Sequence, residues 1–254
     1  MLTLNPRMGF IAIFMLMQSL AFSQNNESVQ SNDVPRNHFR MNLTSLALRN
    51  YNFQYERVLS KRISLVLGYR TMPNGALPFK SNIISTSNDP NNALGSFQMS
   101  NTALTPELRI YAGSKGYGRG FYVAPYYRLT NFKASGVKIN FTYDAGNPAT
   151  MDLTGDLKAN SFGLMIGAQW SLAKNISLDW HILGAHYGNS DGALSGVASR
   201  THSTTEQANI LTKLKEINFP LINETYMVTA NGARMDFNGP WGGLRAGVSL
   251  GFKF

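Results

Sequence analysis

Residues 241–254 (WGGLRAGVSLGFKF) alternate without a break. Leu244, Ala246, Val248, Leu250, Phe252 and Phe254 fall on one side, and Gly243, Arg245, Gly247, Ser249, Gly251 and Lys253 on the other. Successive side chains of an extended chain point to opposite faces, so the pattern predicts a strand with one apolar face and one small or polar face. The same period recurs at 51–56, 63–70, 104–111, 121–130, 161–170 and 176–183. In 176–183, Ile176, Leu178, Trp180 and Ile182 alternate with Ser177, Asp179, His181 and Leu183. A weaker first strand falls in 39–48, which makes eight.

The connections alternate in length. Segments 59–62, 113–120 and 172–175 are short, whereas 71–102, 132–157 and 188–240 are long; only the link near Arg49-Asn50 is short on the long side. An antiparallel barrel that crosses a membrane needs this arrangement, with lipid against the apolar face and the lumen behind the other. A β-sandwich also alternates, but it puts the apolar face inward and the polar face outward. The last long connection carries structure of its own. Ser203-Thr204-Thr205-Glu206 forms a capping box ahead of an apolar helical stripe at Ala208, Ile210, Leu211, Leu214 and Ile217, stopped by Pro220. Segments 225–229 and 233–237 flank Ala230-Asn231-Gly232, a hairpin signal, and 138–143 and 150–154 flank Ala145-Gly146-Asn147-Pro148. The predicted fold class is all-β: an eight-stranded antiparallel transmembrane β-barrel with long outer loops, one holding a short helix and a hairpin.

The first residues read as an export signal. Arg7 precedes an apolar stretch from Phe10 to Leu20, and Ala21-Phe22-Ser23 offers small residues before Gln24. The run is shorter than the about 18 residues a spanning helix needs. The expected organisation is a signal peptide at 1–23, a polar periplasmic lead-in at 24–37 and a barrel at 38–254. Removing 1–23 takes away one arginine and no acid, so the net charge of +9 becomes +8. Charged residues are only 15% of the chain, while 15 Phe, 11 Tyr, 3 Trp and 23 Gly suit a wall that faces lipid. The absence of cysteine excludes a disulfide framework, a thiol nucleophile and a thiolate metal site.

Several stretches taken together resemble a family of small outer-membrane β-barrels of unknown function from Gram-negative bacteria. They are 104–111 (LTPELRIY), 119–125 (RGFYVAP), 163–170 (GLMIGAQW), 178–184 (LDWHILG), 230–233 (ANGA) and 239–245 (GPWGGLR). The resemblance implies a barrel and an outer-membrane address, and it brings no activity or catalytic residue with it.

The alternation also names a lumen. Glu56, Glu107 and Asp179 fall inward with Arg70, Arg109, Arg128, Arg245 and Lys253, joined by Gln54, Tyr126, Gln169 and His181. An eight-stranded barrel is just wide enough for side chains to fill it, and charges out of water must be paired. The reading is a plug of ion pairs, with a narrow transport channel as the alternative. A third reading, an envelope-lipid hydrolase, would draw on His186, Ser190 and Asp191 in the entry to a loop, but Gly-Asn-Ser-Asp-Gly is ordinary turn chemistry. No catalytic residue is assigned and the chain is not expected to be an enzyme. His38, His181, His186 and His202 lack metal-ligand spacing, and no cofactor motif is present. Expected partners are outer-membrane lipid and lipopolysaccharide, the barrel-assembly machinery and an unidentified surface ligand. Nucleic acid is not among them, since Arg57, Lys61, Arg62, Lys115, Arg119 and Lys174 collect at the rim, beside lipid phosphates. Phe252 and Phe254 are read as the assembly signal.

Overall fold

Alternation becomes strand pairing between Asn37 and Lys253 among the described residues. The computed structural model describes residues 34–76, 78, 96–113, 115–142, 148–216 and 221–254. The predicted export signal, nearly all of the lead-in, Asn147, Ile217 and Pro220 lie outside the described residues. The elements are β1 (Asn37–Asn42), β2 (Tyr51–Val58), β3 (Ile63–Ala76), β4 (Gln98–Tyr111), β5 (Gly120–Thr142), β6 (Pro148–Ala173), β7 (Ile176–Ala198), α1 (Thr204–Glu216), β8 (Asn223–Thr229) and β9 (Gly232–Lys253). All strand pairs are antiparallel, in the order β1-β2-β3-β4-β5-β6-β7-β9-β8, and β1 also pairs β9. Eight strands therefore close a ring, which leaves no sheet edge around most of its circumference.

The ninth strand sits where one partner runs out. On one edge of β9, β1 pairs Ser249–Lys253 and β8 pairs Gly232–Asn238. Between them, on that edge, 239–247 has no strand partner among the described residues, while β7 pairs it on the other edge. β1 is short because its continuation is captured by local bonds. Asn42 Oδ1 accepts from the Ser45 amide and the Thr44 hydroxyl, both at 2.8 Å, and Ser45 Oγ donates to Asn42 O at 2.9 Å. Short polar side chains offer the backbone this alternative to a ladder. The expected strand at 39–48 thus ends at Asn42, and Thr44–Leu48 is a 3-10 helix closed by Arg49 at φ 57.

The wall is the inverse of a soluble protein's. Leu65, Leu67, Leu108, Phe121, Phe162, Leu164 and Leu244 face out, Phe162 at 63% exposure and Leu244 at 75%, while Glu56, Arg109 and Asp179 are 0% exposed inside. Toward the hairpin end the outward side chains become Lys133, Asp156, Lys158 and Asp191, so the apolar band stops there. The strands do not stop with it. The segments 132–157 and 188–240, expected to be loops, are largely ladder: β5 and β6 pair to Thr142↔Pro148, and β7 and β9 to Val197↔Gly232. The hairpin turn between β8 and β9 falls on Ala230-Asn231, one residue earlier than an Asn-Gly turn would place it.

One bulge corrects the inward set. Leu183 pairs Ile166 and His181 pairs Gly167, so Ile182 is an extra residue on β7. A bulge of one residue inverts the phase beyond it. Leu183, expected inward, therefore faces out at 53% exposure, and Gly184 and His186 turn in. At the other end, the β4–β5 turn folds against the lumen. Gly118 (φ 71) takes a left-handed conformation there, and a Cβ on it would lie 3.1 Å from Val58 and 3.4 Å from His38.

Candidate functional site

Within the apolar belt the outward residues are apolar, and the alternate positions of the same strands carry polar groups into the lumen. In the turn-end half, Arg109 of β4 is the hub. Its Nη1 donates to Asp179 Oδ2 at 2.9 Å and to Gln169 Oε1 at 3.2 Å, and its Nη2 donates to Gln54 Oε1 and Glu107 Oε2, both at 3.3 Å. His181 Nε2 stands 3.2 Å from the same Nη2. Arg40 of β1 bonds Glu56 and, at 2.7 Å, His38 Nδ1. Ser64 and Tyr111 complete the Glu56 carboxylate, the Tyr111 hydroxyl at 2.7 Å. Two arginines thus face three carboxylates, with His38 and His181 among them.

Aromatic rings fill the remaining space. Tyr122 donates to Asp179 Oδ1 at 2.9 Å and lies 4.4 Å under the Arg109 guanidinium, and Tyr111 packs on it with centroids 5.4 Å apart. Glycines on β6 make room for the rings: a Cβ on Gly167 would come within 2.3 Å of Tyr122, and one on Gly163 within 2.4 Å of Tyr126.

The hairpin-end half is composed differently. Arg245 of β9 donates to Glu107 Oε1 at 2.9 Å and stacks 4.6 Å from the Tyr126 ring centroid. The Tyr126 hydroxyl is 3.1 Å from His186 Nδ1. Arg128 donates to Thr105 Oγ1 at 3.1 Å, and Arg70 donates to Asn101. Further along, Phe132 of β5 and Trp241 of β9 meet across the lumen with centroids 5.5 Å apart.

Glu56, Glu107, Arg109, Asp179 and His181 thus stand in one connected cluster, and Arg70, Tyr126, Arg128 and Arg245 in the half above it, with Glu107 bridging the two. Lys253 lies at the turn end, its Nζ 2.8 Å from Ser171 Oγ. Phe252 and Phe254 are on the outer face and stack with centroids 6.1 Å apart. His38, Arg40, Tyr111 and Tyr122 were not singled out from the sequence. Their signal was available: His38, Arg40 and Asn42 alternate with Phe39 and Met41, and both tyrosines share the parity of Arg109 or Tyr126.

His186, Ser190 and Asp191 are not brought together. His186 and Ser190 point inward with one position, Gly188, between them on that face, about 13 Å apart along the strand at roughly 3.3 Å per residue. Ser190 Oγ donates to Gly239 O at 3.3 Å, and Asp191 is on the outer face opposite Lys158 and Asn238.

In the last connection, the capping box is reciprocal. The Ser203 amide donates to Glu206 Oε2 at 2.8 Å and the Glu206 amide to Ser203 Oγ at 3.2 Å. Arg200 clamps the same carboxylate at 2.6 and 3.2 Å, and these hydrogen bonds hold Glu206 down at about 2.

No family model matches this chain and no curated protein matches it, so the resemblance drawn from the sequence stretches has no match of its own. Among solved structures, the chain is similar to the crystal structure of Acinetobacter baumannii CarO, at 14% identity and a TM-score of 0.37, over 89% of this chain and 100% of that one.

Proposed function

We propose that the chain is an outer-membrane β-barrel with a structural or surface-binding role, its lumen closed by the ion-pair network. The observation that carries this reading is the inversion itself: an apolar outer belt around a closed ring of strands, with charged groups buried inside. In water that belt would be a large exposed apolar surface, whereas in lipid a closed ring satisfies its backbone groups along every paired seam. Lipid and lipopolysaccharide are then the surrounding partners. The envelope's barrel-assembly machinery is the folding partner, with Phe252 and Phe254 as the signal it reads. The short turns lie in the periplasm and the long hairpins outside. No catalytic step is assigned.

Purified, refolded protein in a planar bilayer is expected to give no sustained unitary conductance. Reproducible steps from the wild type would reject the plug and favour a narrow transport channel. Opening on Glu107→Ala would support the plug, because Glu107 joins Arg109 to Arg245. A tag at Asn231 should be labelled on intact cells and one at Lys174 should not; the reverse would invert the orientation.

A further inference from the structure

The two halves of the lumen differ in charge, and the difference points to a ligand. We propose that the hairpin-end half is an oxyanion site in which Arg70, Arg128 and Arg245 take a phosphate or carboxylate group. The three guanidinium groups lie close enough to act on one another, and all three act on His186. Among the described residues one acid, Glu107, reaches the trio, and Arg109 holds its other oxygen from the turn-end side at 3.3 Å. Arg128 is 5% exposed, and the Arg245 side chain is 11% exposed. Each guanidinium offers five donors. The bonds to Thr105, Asn101 and Glu107 use few of them, and Arg70 Nε and Arg245 Nη1 are buried with no hydrogen-bond partner. Like charges gathered out of water are costly unless an opposite charge joins them. An Arg fork matches the two oxygens of a carboxylate or phosphate, so an oxyanion relieves the repulsion and fills the open donors together.

The wall beside the trio offers a second approach. Arg245 lies within 239–247, where β9 pairs β7 on one edge and has no strand partner on the other among the described residues, and Leu43, Leu46, Leu48 and Leu244 are exposed near this gap between β9 and the 3-10 helix. The oxyanion could therefore come as a free ion from the loop end or as the headgroup of an amphiphile from the side. The amphiphile route rests on the membrane placement proposed above; the free-ion route does not.

The test uses the folded full barrel in detergent micelles. Its thermal unfolding, followed by tryptophan fluorescence, is compared in sodium phosphate and in sodium chloride at equal ionic strength. A second arm compares micelles doped with dimyristoyl phosphatidate and with the matching phosphatidylcholine. We expect a saturable rise in Tm with phosphate, phosphatidate or both. Arg128→Gln should weaken the apparent affinity by roughly tenfold or more, as loss of a charge-assisted fork predicts. Lys61→Gln, at the exposed rim, should leave it unchanged. Without ligand, Arg128→Gln should melt no lower than the wild type, because it removes one of three like charges. Arg70→Gln gives the same reading should the first variant not fold. A response to phosphate alone identifies a free ion, and a response to phosphatidate alone identifies a headgroup; both support the site. No response to either probe, or an equal response in wild type, Arg128→Gln and Arg70→Gln, overturns it.

Discussion

Arg109 and Arg128 stand on neighbouring strands, both inward and both nearly inaccessible, yet their surroundings are opposite. Arg109 contacts Glu107 and Asp179, with Glu56 at 3.7 Å and a tyrosine face beneath it. Arg128 has one neutral hydroxyl partner and two other arginines in range. One half of the lumen is fastened and the other is loaded. Alternation alone treats both halves alike. What separates them is which strands carry acids at each height, and the acids sit at Glu56, Glu107 and Asp179, all toward the turn end. A protein that departs from charge matching in one region of an otherwise matched interior tends to do so where something binds.

The largest expected effect is a difference between two substitutions of the same kind. Arg109→Met leaves Asp179 buried without its nearest arginine, takes one of two arginines from Glu107, and should lower stability by about 3–5 kcal/mol. Arg70→Met removes a like charge from the trio and should change stability by less than about 1 kcal/mol, or raise it. Urea unfolding in micelles would measure both, and equal losses would erase the distinction between the halves. A smaller contrast comes from glycine. Gly167→Ala drives a methyl into Tyr122 and within 2.8 Å of the Trp180 carbonyl, which cannot step aside, and should cost about 1–3 kcal/mol. Gly243→Ala meets only the His186 ring at 3.0 Å, a side chain that can turn, and should cost less than about 1 kcal/mol. The smallest effect lies outside both halves, at Arg200 and Glu206. The Glu206 carboxyl is held at about 2, below its ordinary 4.5. Its contribution to ordering the helix start is therefore complete above about 4.5 and fades as pH falls toward about 2. A carboxyl 13C titration should show the low midpoint. Added salt should weaken this exposed pair while leaving the Arg109 cluster intact.

The strand faces were legible because the outer face and the lumen carry opposite chemistry on alternate residues, so 241–254 could be read residue by residue. Three things were not legible, each for a physical reason. Cross-lumen partners depend on register around the ring: Arg109 and Asp179 are 70 residues apart, and Arg245 and Glu107 are 138. The bulge at Ile182 inverts the phase of β7 by backbone geometry that an apolar Ile-Leu pair does not announce. The outer halves of β5, β6 and β7 carry Lys133, Asp156, Lys158 and Asp191 outward, so no apolar periodicity marks them as strands, and the main-chain ladder alone extends them. His38 and Arg40 were passed over because β1 is only 6 residues long before Asn42 captures the chain.

The seam between β1 and β9 has a consequence in time. Asn37 and Phe254 exchange backbone hydrogen bonds at 3.0 and 2.9 Å. Every other seam of the ring joins strands that follow each other closely along the chain, β8 being a side branch. Those hairpins can form one after another, each paying a small loop-closure entropy. The last seam must bring together segments more than 200 positions apart, the slowest kind of contact to find. Until it forms, two rows of amide and carbonyl groups stay open, able to pair with the wrong chain. Folding of this ring is therefore gated by a single late event, and the vulnerable species is a nearly complete sheet waiting for its first and last strands to meet.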